Sequence, residues 1–225
     1  LKLIMDITPC IQVKVCGLTD VEEAKQCADL GAHAVGFVFY PPSPRCIPAV
    51  QAKKIAAALP GYIQKVGVFV DKRYADIMET AVTCGLTAVQ LHGKEPPDLV
   101  GRLVAEGLTV IKALFSEASP SIQDAGMYPA SAFLVECGKG KLPGGNALSW
   151  NWEAAKKLGT RFPLILAGGL SPENVAVAVR AADPDAVDVS SGVECRPGRK
   201  DIDRVRTFLS AVAACRTTRS LRRIF

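Results

Sequence analysis

Val13-Lys14-Val15-Cys16-Gly17-Leu18-Thr19-Asp20 alternates apolar and polar residues, ends that alternation on a cysteine, turns at a glycine and supplies a helix cap. A strand that turns directly into a helix is the opening of a βα unit. Beyond Asp20, Val21, Ala24, Ala28 and Leu30 recur at helical spacing up to a stop at Gly31. Residues 34–39 then form an almost continuous apolar run, as expected of a parallel strand covered on both faces. Cys16 has two readings on this local evidence. With Lys14 on its strand face it could serve as a base or nucleophile, or it could be a small buried hydrophobe.

The same unit returns along the whole chain. Further strands are predicted over 66–70, 87–91, 109–114, 132–136, 162–166 and 186–189. Helices are predicted over 50–59, 74–83, 97–106, from near 151, over 172–182 and over 202–215, and the segment 119–126 is the weakest of the series. Eight strand-then-helix units with no linker composition between them predict a closed (β/α)8 TIM barrel, α/β in class. An open doubly wound sheet would need a G-x-G-x-x-G turn after the first strand, and Cys16-Gly17-Leu18-Thr19 is not one. One domain is expected over 1–225, with the barrel at about 11–215 and terminal extensions at 1–10 and 216–225.

With 49% apolar and 22% charged residues, the chain can bury a large core, and no apolar run approaches the ~18 residues of a membrane-spanning helix. The eight cysteines are scattered without a C-x-x-C pair, which argues for free thiols in a reducing, cytoplasmic setting and against a disulfide frame or structural zinc. The net charge of +5 owes much to Arg216, Arg219, Arg222 and Arg223. Without interleaved aromatics these suit a frayed, solvated end better than a nucleic-acid contact, while positive charge in the body suits a small anionic substrate.

Strand alternation sorts the polar residues. Lys14 and Cys16 oppose Val13 and Val15; Gln90 and His92 oppose Val89 and Leu91; Glu136 opposes Val135; and Asp188 and Ser190 oppose Val187 and Val189. All lie near the C-terminal ends of strands, the end at which barrel active sites are built. His33 precedes a strand at the other end and reads as structural. Between strand two and its helix, Pro41-Pro42-Ser43-Pro44 forms a stiff loop that presents Arg45. After strands seven and eight, Gly168-Gly169 and Ser190-Ser191-Gly192 offer backbone N–H groups in the two loops where barrels bind phosphate.

In order along the chain, Lys14-Val15-Cys16-Gly17-Leu18-Thr19, Gly36-Phe37-Val38-Phe39 with Ser43-Pro44-Arg45, Val66-Gly67-Val68-Phe69-Val70, Val89-Gln90-Leu91-His92-Gly93, Leu166-Ala167-Gly168-Gly169-Leu170 and Asp188-Val189-Ser190-Ser191-Gly192-Val193-Glu194 resemble phosphoribosylanthranilate isomerases of tryptophan biosynthesis. The resemblance implies a metal- and cofactor-free Amadori rearrangement of a phosphoribosyl small molecule by a monomer or homodimer. It implies Cys16 as general base, Arg45 near the anthranilate carboxylate, and Gly168, Gly169, Ser190, Ser191 and Gly192 around the phosphate. Lys14, Gln90, His92 and Asp188 are expected to contact substrate, and a cationic Lys14 to lower the pKa of Cys16.

The chain departs from the family pattern at two places. Glu136, expected to act as the general acid, stands where the family's general acid is an Asp, and the loop Gly144-Gly145-Asn146-Ala147-Leu148 lacks the family's later glycine and lysine. These leave open two other readings: a different aldose–ketose sugar-phosphate isomerase, or a non-catalytic module that binds phosphoribosyl ligands. A metal-dependent epimerase on this fold would need a ligand set that two histidines at opposite ends cannot supply.

Overall fold

Gly17 takes the chain off the first strand with φ at +78°, a conformation that favours glycine, and the Asp20 carboxylate caps the next helix by accepting from the Glu22 and Glu23 amides. That local chemistry starts a unit that the chain repeats until the sheet closes. The computed structural model describes residues 10–139 and 150–225. Parallel strands β1 (Gln12–Cys16), β2 (Ala34–Val38), β3 (Gln64–Phe69), β4 (Ala88–Leu91), β5 (Thr109–Phe115), β6 (Ala132–Glu136), β7 (Leu164–Leu166) and β8 (Ala186–Val189) pair in sequence order, and β8 pairs back onto β1. The result is a closed eight-stranded (β/α)8 TIM barrel.

Helices α1 (Val21–Asp29), α2 (Ala49–Ala58), α3 (Tyr74–Cys84), α4 (Pro97–Ala105), α5 (Lys156–Arg161), α6 (Val175–Ala182) and α7 (Ile202–Ala213) surround it. Among the described residues, no helix is long and apolar enough to cross a membrane. Two connections differ from the periodic reading. After β5 there is only a 3-10 turn, Ile122–Met127, closed by a Ser121–Asp124 capping box; Pro120 and Pro129 bracket it and leave no room for an α-helix. The element near Asn151 opens as 3-10 (Trp152–Ala155) before α5. A hairpin of β9 (Glu194–Arg196) and β10 (Arg199–Lys200), turned by Pro197-Gly198, precedes α7.

Strand alternation divides the core. Val13, Val15, Val35, Phe37, Phe133, Val135 and Val187 pack outward with Ile55, Ile77, Leu103, Val179 and Phe208 of the helices. Ala34, Val66, Ala88, Ile111, Ala132, Leu134, Ile165 and Ala186 form a second, separate cluster inside the barrel.

Small side chains on four of these strands leave the barrel floor wide, and the C-terminal residues close it. Ile224 and Phe225 join the inner cluster, and their amides donate to Gln12 Oε1 at 3.0 and 2.7 Å. Asp185, fully buried, accepts from the Leu164 amide at 2.8 Å, from Arg219 Nη1 at 2.7 Å and from the Arg222 amide at 2.8 Å. The tail is therefore packed, which corrects the expectation of a frayed, solvated end. Arg219 and Arg222 are held by acceptors that lie just ahead of β8, Asp183 and Asp185, while Arg216 and Arg223 stay exposed.

Burial raises the Asp185 carboxyl, but the bonds from Arg219, Arg222 and Leu164 outweigh it and hold the group below the ordinary carboxylate range. A depressed folded value stabilises the fold above the unfolded pKa and is lost as pH falls through the folded one. Asp185→Asn should cost about 2–4 kcal/mol at pH 7. In urea titrations that difference should be full above about pH 5 and shrink toward pH 3.

Candidate active site

At the seam between β1 and β8, Lys14 pairs in register with Asp188, and its ammonium donates to Asp188 Oδ1 at 2.9 Å. Lys14 has no exposed surface, and the Asp188 side chain is 9% exposed, so each charge depends on the other. Burial works against the Lys14 ammonium, yet the Asp188 carboxylate and the neighbouring Cys16 sulfur raise its pKa overall.

Cys16 lies two residues further along the same face, one layer nearer the mouth. Gly36 of β2 makes room there: a Cβ at that position would stand 2.7 Å from Cys16 Sγ and 3.1 Å from Lys14 Nζ. Burial pushes the Cys16 thiol up; Lys14 opposes this, Asp188 reinforces it, and the net direction is upward. The expected sign of the Lys14 effect holds, but it does not prevail. In the resting site Cys16 carries its proton at neutral pH.

The second cluster faces it from β4 and β6. Gln90 sits between Val68 and Ile111 in register. Its Nε2 is 2.7 Å from His92 Nδ1, while His92 Nε2 is 3.1 Å from Glu136 Oε1. All three side chains are buried, and Phe115 meets the imidazole edge-on at 5.8 Å. Glu136 Cβ lies close under Gly168, where an added Cβ would approach it to 3.1 Å.

The phosphate-type loops also meet. A Cβ on Gly192 would lie 1.9 Å from the Leu170 carbonyl, so the β8 loop touches the β7 loop at a point that admits only glycine. Gly168 and Gly169 have φ of +84° and +67°. The carbonyls of Ala167, Gly168 and Gly169 are held by Trp150 Nε1, Trp152 Nε1 and Asn174 Nδ2, which turns the N–H edge of the loop the other way. Ser190 Oγ donates to the Cys16 carbonyl at 3.0 Å and so ties this loop to β1. Ser191 and Gly192 form a short 3-10 turn after it.

Arg45 folds over Gly17, where a Cβ would reach its Cδ at 2.5 Å. Its fork is closed on Glu194, Nε to Oε1 at 2.9 Å and Nη2 to Oε2 at 2.7 Å. Lys200 Nζ donates to the same carboxylate at 2.8 Å and to the Ser190 carbonyl at 3.1 Å. One carboxylate thus serves two cations, and one positive charge is left without an acidic partner in this cluster. Burial opposes the Glu194 carboxylate, but Arg45 and Lys200 together hold its pKa below the ordinary value.

Sequence reasoning missed Lys200, which only the Pro197-Gly198 turn brings back to the mouth, and missed Glu194 as a charge partner. It also missed Lys112 and Glu95, a buried ion pair at 2.8 Å. Lys112 donates to the Gly93 carbonyl at 2.7 Å and Glu95 accepts from the Asp71 and Gly93 amides, which fixes the loop that begins with His92. The altered loop Gly144-Gly145-Asn146-Ala147-Leu148 lies outside the described residues. His33 is at the other end, where its Nδ1 accepts from the Val13 amide at 3.1 Å.

The sequence family described as N-(5'-phosphoribosyl)anthranilate (PRA) isomerase matches residues 13–211. An N-(5'-phosphoribosyl)anthranilate isomerase of Desulfatibacillum aliphaticivorans is 53% identical over 199 residues, 88% of this chain and 91% of that one. The Geobacter metallireducens isomerase is 44% identical over 207 residues, 91% and 100% of the two chains. Among solved structures, a phosphoribosyl anthranilate isomerase in complex with reduced 1-(o-carboxyphenylamino)-1-deoxyribulose 5-phosphate superposes with a TM-score of 0.79 at 39% identity, covering 90% of this chain and 98% of that one. A monomeric form generated from the dimeric Thermotoga maritima phosphoribosylanthranilate isomerase gives 0.79 at 38% over the same shares.

The raised Cys16 thiol predicts slow alkylation. At pH 7.5, mass spectrometry after iodoacetamide treatment should find Cys16 modified more slowly than the exposed Cys195, with the rate still climbing above the ordinary thiol range of about 8.5. Lys14→Met should slow it further; faster labelling in that variant would show that Lys14 does not favour the thiolate.

Proposed function

Because the chain belongs to the N-(5'-phosphoribosyl)anthranilate isomerase family, we propose that its aldose–ketose isomerisation divides between Cys16 as base and Glu136 as acid on opposite sides of the barrel mouth. The activity is that of the family in tryptophan biosynthesis. The substrate is a phosphoribosyl small molecule, and no residue's role here calls for a metal or cofactor.

The reaction follows from the two clusters. Glu136 gives its proton to the ribose ring oxygen as the C1–O bond breaks, and the anilino nitrogen's electron pair forms the C1=N bond of a protonated Schiff base. Cys16 thiolate takes the C2 proton, whose electron pair flows to the iminium nitrogen and leaves an enolamine. Tautomerisation adds a proton at C1 and removes one from the C2 hydroxyl, so the net change is an isomerisation. The iminium is the cation that the buried thiol otherwise lacks, and together with Lys14 it favours thiolate at the moment the base is needed.

Substrate charge fits the remaining groups. The paired loops at Gly168, Gly169, Ser190, Ser191 and Gly192 present N–H groups to the phosphate. The unmatched positive charge of the Arg45–Glu194–Lys200 group draws the anthranilate carboxylate. Arg45 is already forked onto Glu194, so it offers the substrate its remaining Nη1 face. Lys14 and Asp188 form the polar wall beside Cys16. The observation that carries the reading is this arrangement of a lone thiol and a carboxyl group, both buried, at one mouth with both glycine loops.

Loss of phosphoribosylanthranilate fluorescence tests the assignment. Cys16→Ser and Glu136→Gln should each lower kcat by about 10²–10⁴-fold with product-analogue binding retained. Glu136→Asp should lower it by on the order of 10–100-fold, because a shorter arm withdraws the proton by roughly 1.5 Å. Undiminished turnover in Glu136→Gln would remove Glu136 as the acid. A wild-type chain that binds the analogue without turnover would be a binding module.

A further inference from the structure

We propose that Gln90 is a positioning residue that sets the tautomer of His92, placing its single proton on Nε2 and directing it at Glu136. The proposal rests on Glu136 being the acid of the reaction.

The geometry begins with the amide. Gln90 Nε2 approaches His92 Nδ1 to 2.7 Å, and an amide NH2 has only protons to offer, so Nδ1 must present its lone pair. A neutral imidazole that accepts at one nitrogen carries its proton on the other, so Nε2–H donates to Glu136 Oε1 at 3.1 Å. The opposite amide orientation would place Oε1 against an Nδ1–H. It is disfavoured by what surrounds the group. As it stands, Gln90 Oε1 is the single buried side-chain polar atom without a hydrogen-bond partner among the described residues. Turning the amide over would put an NH2 group at that buried, partnerless place and leave both of its donors unsatisfied there.

The consequence for the acid is direct. His92 steadies Oε1 of Glu136 by donation, which leaves the other oxygen of the carboxyl to carry the transferable proton toward the substrate. An imidazolium in the same place would favour carboxylate over carboxylic acid and keep Glu136 from acting. Gln90 prevents this by occupying Nδ1 with a donor. Phe115, edge-on to the ring, and the Lys112–Glu95 brace of the following loop hold His92 in the plane this requires.

The chain has two histidines, so ¹⁵N-labelled imidazole signals can be read one by one, with His33→Asn assigning the other. In the wild type at pH 7.5, His92 should show an acceptor-type Nδ1 and a protonated Nε2. Gln90→Glu, whose carboxylate accepts where the amide donated, should put a proton on Nδ1 as well. It should also lower kcat by roughly tenfold with KM little changed. Gln90→Met, which neither donates nor accepts in the same way, should fall between them. A protonated Nδ1 in the wild type, or an unprotonated one in Gln90→Glu, would overturn the proposal. The NMR result stands apart from turnover: full activity in Glu136→Gln would sink the acid assignment while leaving the tautomer readable.

Discussion

The Lys14–Asp188 pair bridges the seam at which the last strand meets the first, and the site depends on it. A lysine with no exposed surface is tolerable only with an anion in contact, and a buried carboxylate needs the same. Neither residue alone would be stable in the lumen, so the pair ties the closure of the barrel to its polar interior. It also fixes what Cys16 feels. Burial is the largest influence and favours the thiol; the ammonium favours thiolate, the carboxylate opposes it, and the net direction is toward the thiol. For the base role proposed for Cys16, a group protonated at rest and deprotonated when a cation forms beside it suits a reaction whose iminium arises only after ring opening.

A second charge group follows a different logic. Glu194 faces two cations, Arg45 and Lys200, and the imbalance leaves a positive charge near the mouth. Burial lowers the pKa of the Lys200 ammonium although Glu194 supports it, and the lowering is the net result. Such a group gains from an arriving anion. The seam pair is balanced and structural in effect, whereas this trio is unbalanced and therefore receptive.

How much was legible in the sequence depended on how local the signal was. Strand alternation placed Lys14, Cys16, Gln90, Glu136 and Asp188 on one side of their strands, because a two-residue period needs nothing beyond neighbours. Gly168-Gly169 and Ser190-Ser191-Gly192 were visible as loop chemistry, but not that Gly192 must press against the Leu170 carbonyl. The partnership of Arg45 with Glu194 spans 149 positions, and no local period announces it. The tail was misjudged because its arginines read as a solvated charge run. The acceptors of Arg219 and Arg222, Asp183 and Asp185, lie 34 to 37 positions earlier, and the apolar Ile224 and Phe225 beyond them carry no periodicity to reveal burial. Composition described those residues correctly and their environment wrongly.

The glutamate at position 136 can be understood from its surroundings. A longer side chain has an additional rotatable bond, and holding it in one geometry costs side-chain entropy that an aspartate does not lose. That cost is offset only if the carboxyl group is anchored. His92 Nε2 supplies the anchor at 3.1 Å, and the floor beneath it is Gly168, whose missing side chain leaves the Glu136 stem its space. Trp150 stands against the same glycine, with its Nε1 bonded to the Ala167 carbonyl, and so walls the stem from a second side. Extra reach combined with a fixed end point is a displacement of the proton rather than a loosening of it. If Glu136 is the acid proposed above, the longer side chain changes where that acid meets the ring oxygen, and the histidine that holds it becomes as much a part of the acid's geometry as the carboxyl group itself.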